Sequence, residues 1–301
     1  MPRRWLHQPK GDRTAGGRAG KTIPRSAKKS HGSHAARRTG PLGGNQKAVI
    51  YLNKVLLQRP INKDSYLHQL PAVQALQESG ELSFPAPVTF LVGENGTGKS
   101  TLLEAIAVAC GFNPEGGTKN FTFSTHQSHS DLYKFLTPSR LHRERDGFFL
   151  RAESFYNVAT NIEKLDCEVT DVPYLSPPPP LVNSYGGVSL HQQSHGESFL
   201  ALVQNRFGGQ GLYLLDEPEA ALSPARQLTL LAEIHRLVCQ NSQFIISTHS
   251  PMLMAYPGAH IWQLSSMGIT TVAYKETEHY QLTLRFLENP NRYLQYLFED
   301  T

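Results

Sequence analysis

Eight consecutive residues, Gly93-Glu94-Asn95-Gly96-Thr97-Gly98-Lys99-Ser100, set three glycines, a lysine and a hydroxyl in the spacing GxxxxGK[ST]. Glycines let such a loop curl until successive backbone N–H groups point inward, a concavity that suits phosphate oxygens. A helix beginning near Lys99 would add the positive end of its dipole. In this pattern Gly93, Glu94, Asn95, Gly96, Thr97, Gly98, Lys99, Ser100 and Thr101 surround a triphosphate. Lys99 bridges its β- and γ-phosphates, and the Ser100 hydroxyl ligates Mg²⁺. A plain glycine-rich turn is the competing reading. The apolar strand before the loop and the helical pattern after it favour the phosphate cradle.

Two further constellations extend this chemistry. Leu212-Tyr213-Leu214-Leu215-Asp216-Glu217-Pro218 is an apolar run ending in two carboxylates. Buried strands leading to adjacent charges call for a cation. Asp216 would hold Mg²⁺ through water, and Glu217, pointing the other way, would position and deprotonate an attacking water. Without the loop at 93–100, a solvated helix start would explain the pair equally well. Phe244-Ile245-Ile246-Ser247-Thr248-His249 is a second such run. A lone histidine is commonly a surface or satisfied core residue, but at a strand end downstream of the acidic pair, His249 reads as a contact to the γ-phosphate and to Glu217.

The elements that must carry these residues follow from hydrophobic pattern. Val49–Leu52 with Val55–Leu57 reads as an opening strand, and Val88–Val92, Phe148–Leu150, Leu212–Leu215 and Gln243–Ser247 as buried strands. Thr101–Ala109 and Pro224–Val238 read as helices, the second with proline in its first turn. Ile261–Leu264 and Ile269–Tyr274 suggest a hairpin. Strands alternating with helices predict an α/β fold with a largely parallel sheet, ligands sitting at the carboxyl ends of its strands. The hairpin adds an antiparallel element. Residues 111–193 form an irregular insertion, small and partly helical, with prolines at 177–180 and no heptad pattern.

Charge is unevenly divided. Residues 1–47 hold twelve lysines and arginines against one acid, Asp12, whereas the remainder holds seventeen basic and twenty-four acidic residues. The first 47 residues have too few apolar side chains to offset their ordering entropy, so they are expected to be a disordered basic tail. Nonspecific nucleic-acid contact through it competes with no function at all. The rest, 48–301, reads as one domain. No apolar stretch is long enough to span a bilayer. Cys110, Cys167 and Cys239 are far apart and form no CxxC pair, which argues against a disulfide framework or zinc site and suggests a cytoplasmic protein.

Gln193-Ser194-His195-Gly196-Glu197 resembles the LSGGQ/E signature of ABC ATPases, with Gln193 and His195 departing from it. A polar loop capping a helix from about Ser198 is the alternative. Phe90–Ala107, Gly147–Phe155, Gln193–Phe199, Leu214–Pro224 and Ser247–Pro251 together resemble bacterial stand-alone AAA-family ATPases. These are relatives of the ABC ATPases and of chromosome-maintenance and DNA-repair heads. The resemblance implies an ABC-type P-loop fold using ATP and Mg²⁺, and hydrolysis between two copies. Ser194, Gly196 and Glu197 of one copy would clamp the γ-phosphate held by the other. It also implies a Mg²⁺-sensing glutamine between the loop and the signature; Glu153 is a candidate substitute, and a simple surface glutamate an equal one. A transporter's ATP-binding subunit and a nucleotide-gated, non-catalytic module are the competing functions. The Glu94-Asn95 pair leans away from the transporter.

Overall fold

The computed structural model describes residues 49–119, 130–151 and 194–299, with single positions at 160, 183 and 187. The basic segment 1–47, Cys167, Glu153, Gln193 and the prolines at 177–180 lie outside the described residues. The described residues belong to one compact unit.

A six-stranded sheet runs in the order β5 (Asp146–Arg151), β6 (Gly211–Asp216), β7 (Gln243–Ser247), β3 (Val88–Val92), β8 (His260–Ser265), β9 (Gly268–Thr271). All neighbours are parallel except β8 and β9, which form the expected hairpin. The apolar runs are continuous because this sheet is covered on both faces. Val88, Phe90, Tyr213, Leu215, Phe244 and Ile246 pack one way, beneath α3 (His195–Arg206), α4 (Pro224–Cys239) and the short α5 (Pro251–Met254). Leu91, Leu212, Leu214 and Ile245 pack the other way, against α2 (Lys99–Ala109). Each such side chain contributes roughly 1.5–3 kcal/mol by leaving water.

The same second face carries a three-stranded antiparallel sheet, β2 (Glu81–Ser83), β1 (Leu52–Leu57), β4 (Leu136–Arg140). The two sheets are joined through Gln243, whose buried amide accepts from Tyr51 N at 2.8 Å and Leu52 N at 2.9 Å and donates to Leu52 O at 2.9 Å. Helix α1 (Pro71–Ser79) has proline in its first turn and closes on Gly80 at φ 72°. Of residues 111–193, expected to be a partly helical insertion, the described part holds a 3₁₀ turn (Asp131–Phe135) and two strands, β4 of the smaller sheet and β5 of the six-stranded sheet itself. Two C-terminal helices, α6 (Glu278–Glu288) and α7 (Pro290–Glu299), complete the described chain and leave Leu282, Leu287 and Leu297 exposed. Among the described residues no helix is long and apolar enough to cross a membrane.

Candidate functional site

Strand register brings the predicted residues together. On β7, Ser247 is paired with Leu91 of β3 on one side and with Asp216 of β6 on the other. The loop after β3 and the acidic end of β6 therefore flank one strand tip, and His249 follows two residues beyond it.

The loop 93–100 folds as its glycines require. Gly93, Gly96 and Gly98 have φ of 150°, 83° and 91°. A Cβ on Gly93 would stand 2.2 Å from the Leu264 carbonyl oxygen, so only glycine lets β8 approach this closely. The Thr97 hydroxyl donates to Glu94 O at 2.8 Å. Lys99, 4% exposed, donates through Nζ to the carbonyls of Gly93 and Glu94, each at 2.9 Å. Burial lowers its pKa, while Glu217, Asp216 and Glu219 oppose that shift. The ammonium group and the carboxylates thus share one electrostatic site. Glu94, Asn95 and Gly96 are exposed at the rim, and Ser100 and Thr101 begin α2 half-buried.

At the end of β6, Asp216 is almost fully buried. Burial pushes its carboxyl up to about 6, against the lowering effects of the Arg151 guanidinium and the Ser100 hydroxyl. Arg151, the last residue of β5, places Nε 3.7 Å from Asp216 Oδ2 and donates through Nη1 to Glu104 of α2. The next residue, Glu217, has left-handed φ 48° and ψ 51°, a conformation that costs a non-glycine residue about 1–2 kcal/mol. Its amide donates to Ser247 O at 3.0 Å, which ties this turn to the neighbouring strand. The Glu217 side chain is 40% exposed, with Oε1 3.6 Å from His249 Nε2. Two adjacent carboxylates therefore meet different surroundings, as distinct roles demand.

Glu219 accepts a hydrogen bond from the His249 amide, and burial raises its pKa. Burial also lowers His249 to about 4, helped by Lys99 and His279. His249 Nδ1 lies 2.9 Å from Nε2 of His279, on α6.

Ser194 and Glu197 form a separate cluster. Ser194 caps α3, its amide and hydroxyl donating to Glu197 Oε2 at 3.1 and 2.8 Å, which holds the Glu197 carboxyl below its usual range. Arg226 of α4 donates to Ser194 Oγ and to Glu197 Oε1. A Cβ on Gly196 would meet Ala221 O and Arg226 Nη1, both at 2.6 Å. The capping role is realised, with the helix starting at His195 rather than near Ser198. These residues hydrogen-bond to Arg226 and to each other, not to the loop at 93–100.

Among the described residues, three buried polar atoms at the strand ends have no hydrogen-bond partner: Asp216 Oδ1, Glu219 Oε2 and His249 Nε2. Buried polar atoms left unpaired are costly and call for a partner such as water or an ion. Among the described residues no cluster of three His, Cys, Asp or Glu could cage a metal ion. A serine and one carboxylate instead suit Mg²⁺, which keeps waters and phosphate oxygens in its shell. Ser100 and Asp216 fit that requirement.

Sequence reasoning assigned no role to Arg151, Glu219 or His279. Arg151 sits in strand register with Asp216, and Glu219 two residues after Glu217, so both were within reach of the motif. His279 lies thirty residues after its partner, with no pattern linking the two.

Residues 72–161 match a family model described as "AAA domain", and residues 183–255 one described as "AAA domain, putative AbiEii toxin, Type IV TA system". The chain is 26% identical over 187 residues, 57% of its length and 67% of the relative's, to an "Uncharacterized ABC transporter ATP-binding protein" of Haemophilus influenzae. Solved structures with similar form include the SMC head domain from Thermotoga maritima. Its TM-score is 0.37 at 14% identity, covering 74% of this chain and 98% of that one. A nucleotide-free ATP-binding cassette from an ABC transporter gives a TM-score of 0.43 at 14% identity, covering 81% and 99%.

Proposed function

We propose, from the premise that the chain belongs with the AAA-domain, ABC-like ATPases, that its domain from residue 48 onward hydrolyses Mg-bound ATP to ADP and phosphate. The observation that carries this reading is the shared register of Leu91 and Asp216 on Ser247. It sets Lys99, Asp216, Glu217 and His249 around one strand tip.

In this reading the amides of 93–100 and Lys99 bind the β- and γ-phosphates, and Lys99 exchanges its two carbonyl partners for phosphate oxygens. Ser100 and Asp216 would hold Mg²⁺, which would offset charge on the phosphate oxygens. Glu217 orients water in line with the γ-phosphorus and takes its proton. A new P–O bond forms from water, the bond to the β–γ bridging oxygen breaks, and ADP leaves. His249 contacts the γ-phosphate. Ser194, Gly196 and Glu197 point to a second site of contact, supplied to the ATP of another copy.

Glu217→Gln should cut turnover by about 10²–10⁴ while retaining ATP and accumulating dimers. Unchanged hydrolysis by that variant would remove Glu217 from the role of base. The Haemophilus influenzae relative's name supports a second reading, an ATP-binding subunit for a membrane partner. Recovery with membranes rather than in the soluble fraction would favour it.

A further inference from the structure

Helix α6 enters the site through its first turn. Thr277, fully buried, caps it, accepting from Tyr280 N and donating to Tyr274 O at 2.8 Å. That anchor fixes where the next residues lie. His279 comes to rest over the loop 93–97, with which it lines a cavity of about 440 Å³. Its ring and that of His249 are tilted at 59°, so they meet through their nitrogens rather than by stacking.

Two neutral imidazoles joined by one N···N hydrogen bond share a single proton, and its position sets the tautomer of both. The far end of His249 decides between the two arrangements. Nε2 of His249 is buried, lacks a hydrogen-bond partner and lies 3.6 Å from Glu217 Oε1. Beside a carboxylate, a ring nitrogen is better as N–H than as a bare lone pair. With the proton on Nε2, Nδ1 of His249 must accept, and Nε2–H of His279 must donate. Burial and the Lys99 ammonium group lower the pKa of both rings, against the opposing charges of Glu278 and Glu94 near His279, which favours neutral forms of each.

We infer that His279 is a positioning residue that fixes His249 as its Nε2–H tautomer, presenting a donor to the terminal phosphate. The inference rests on the site being one for a nucleoside triphosphate. It adds that recognition of the third phosphate is set from the C-terminal helix α6. His279 itself touches no reacting atom. It acts by deciding which nitrogen of His249 is bare.

The test has two readouts. Imidazole ¹⁵N shifts of His249, assigned by their loss in His249→Gln, report its tautomer in the nucleotide-free protein. The ratio of ATP to ADP affinity reports recognition of the γ-phosphate. Wild type should show the Nε2–H form. His279→Ala should show mixed tautomers and lower the ATP-to-ADP preference about fivefold to tenfold, with ADP affinity unchanged. His279→Gln, whose amide can donate from a similar position, should recover both. An Nδ1–H tautomer in wild type, or a tautomer unmoved in His279→Ala, overturns the inference. Equal loss of ATP and ADP affinity in His279→Ala, unrescued by His279→Gln, also overturns it, since that marks a structural residue. If wild type binds neither nucleotide, the nucleotide reading fails, and the tautomer measurement still decides what His279 does.

Discussion

Asp216 and His249 lie at neighbouring strand tips and titrate with opposite consequences. A carboxyl raised to about 6 binds its proton more tightly in the folded than in the unfolded chain. Its contribution is therefore complete below the ordinary aspartate pKa of 3.8 and is lost as pH rises through about 6. His249, lowered to about 4, behaves the other way: stability it supports above the ordinary histidine pKa of 6.5 is lost as pH falls toward 4. Between these limits the two slopes offset each other in the wild type. In metal-free buffer, Asp216→Asn should remove one of them. Its urea midpoint at pH 8 should exceed that of wild type by the equivalent of about 1–3 kcal/mol, and stability should then rise with pH between 4 and 6.5. A variant no more stable than wild type at pH 8 would show that the buried carboxylate carries no such cost. Lys99→Ala, by contrast, should abolish ATP binding measured by calorimetry, because its ammonium group sits inside the curl of the loop on the Gly93 and Glu94 carbonyls.

The two site glycines with neighbours at 2.6 Å or less act on whole elements. Gly93→Ala would push β8 away from the loop, since the new methyl group meets backbone at Leu264. Nucleotide affinity and thermal stability should fall together, by roughly 1–3 kcal/mol in stability. Gly196→Ala would press on Ala221 and the Arg226 side chain, and should slow hydrolysis while sparing ATP binding to the isolated chain. Loss of binding there would mean that the signature turn also shapes the cradle. At this scale much was legible in advance. Val88–Val92 and Gln243–Ser247 are strands over the residues read from the sequence, because a strand buried on both faces leaves a continuous apolar run. The antiparallel β2 and β4 were not read. Glu-Leu-Ser and Leu-Thr-Pro-Ser-Arg carry little apolar signal, and pairing with β1 alone makes them strands. Helices α6 and α7 escaped for the opposite reason, since their apolar residues are mixed with charges and many stay exposed. Within the site, Lys99, Asp216, Glu217 and His249 could be placed from short motifs. His279 could not, because only the tertiary fold returns α6 to the strand tips.

For the molecule as a whole, the basic segment 1–47 and the acidic remainder suggest separable behaviour. Removing 1–47 should abolish any salt-sensitive DNA binding and leave ATP turnover intact. DNA affinity that survives the deletion would move the contact to the folded part. Besides the apolar core that its two sheets share, cohesion of that folded part draws on a residue distant from all of this chemistry. Gln243 starts β7 at the sheet end opposite the loop 93–100, and its amide bonds the β1 backbone as a neighbouring strand would. A peptide group is imitated by a side chain, so two sheets that share no strand are stitched across their seam. Amide protons of Tyr51 and Leu52 should consequently exchange with deuterium only as slowly as those in the heart of β7. In Gln243→Leu they should exchange far sooner, while β7 stays protected: the smaller sheet would peel off as a unit, and the larger one would hold.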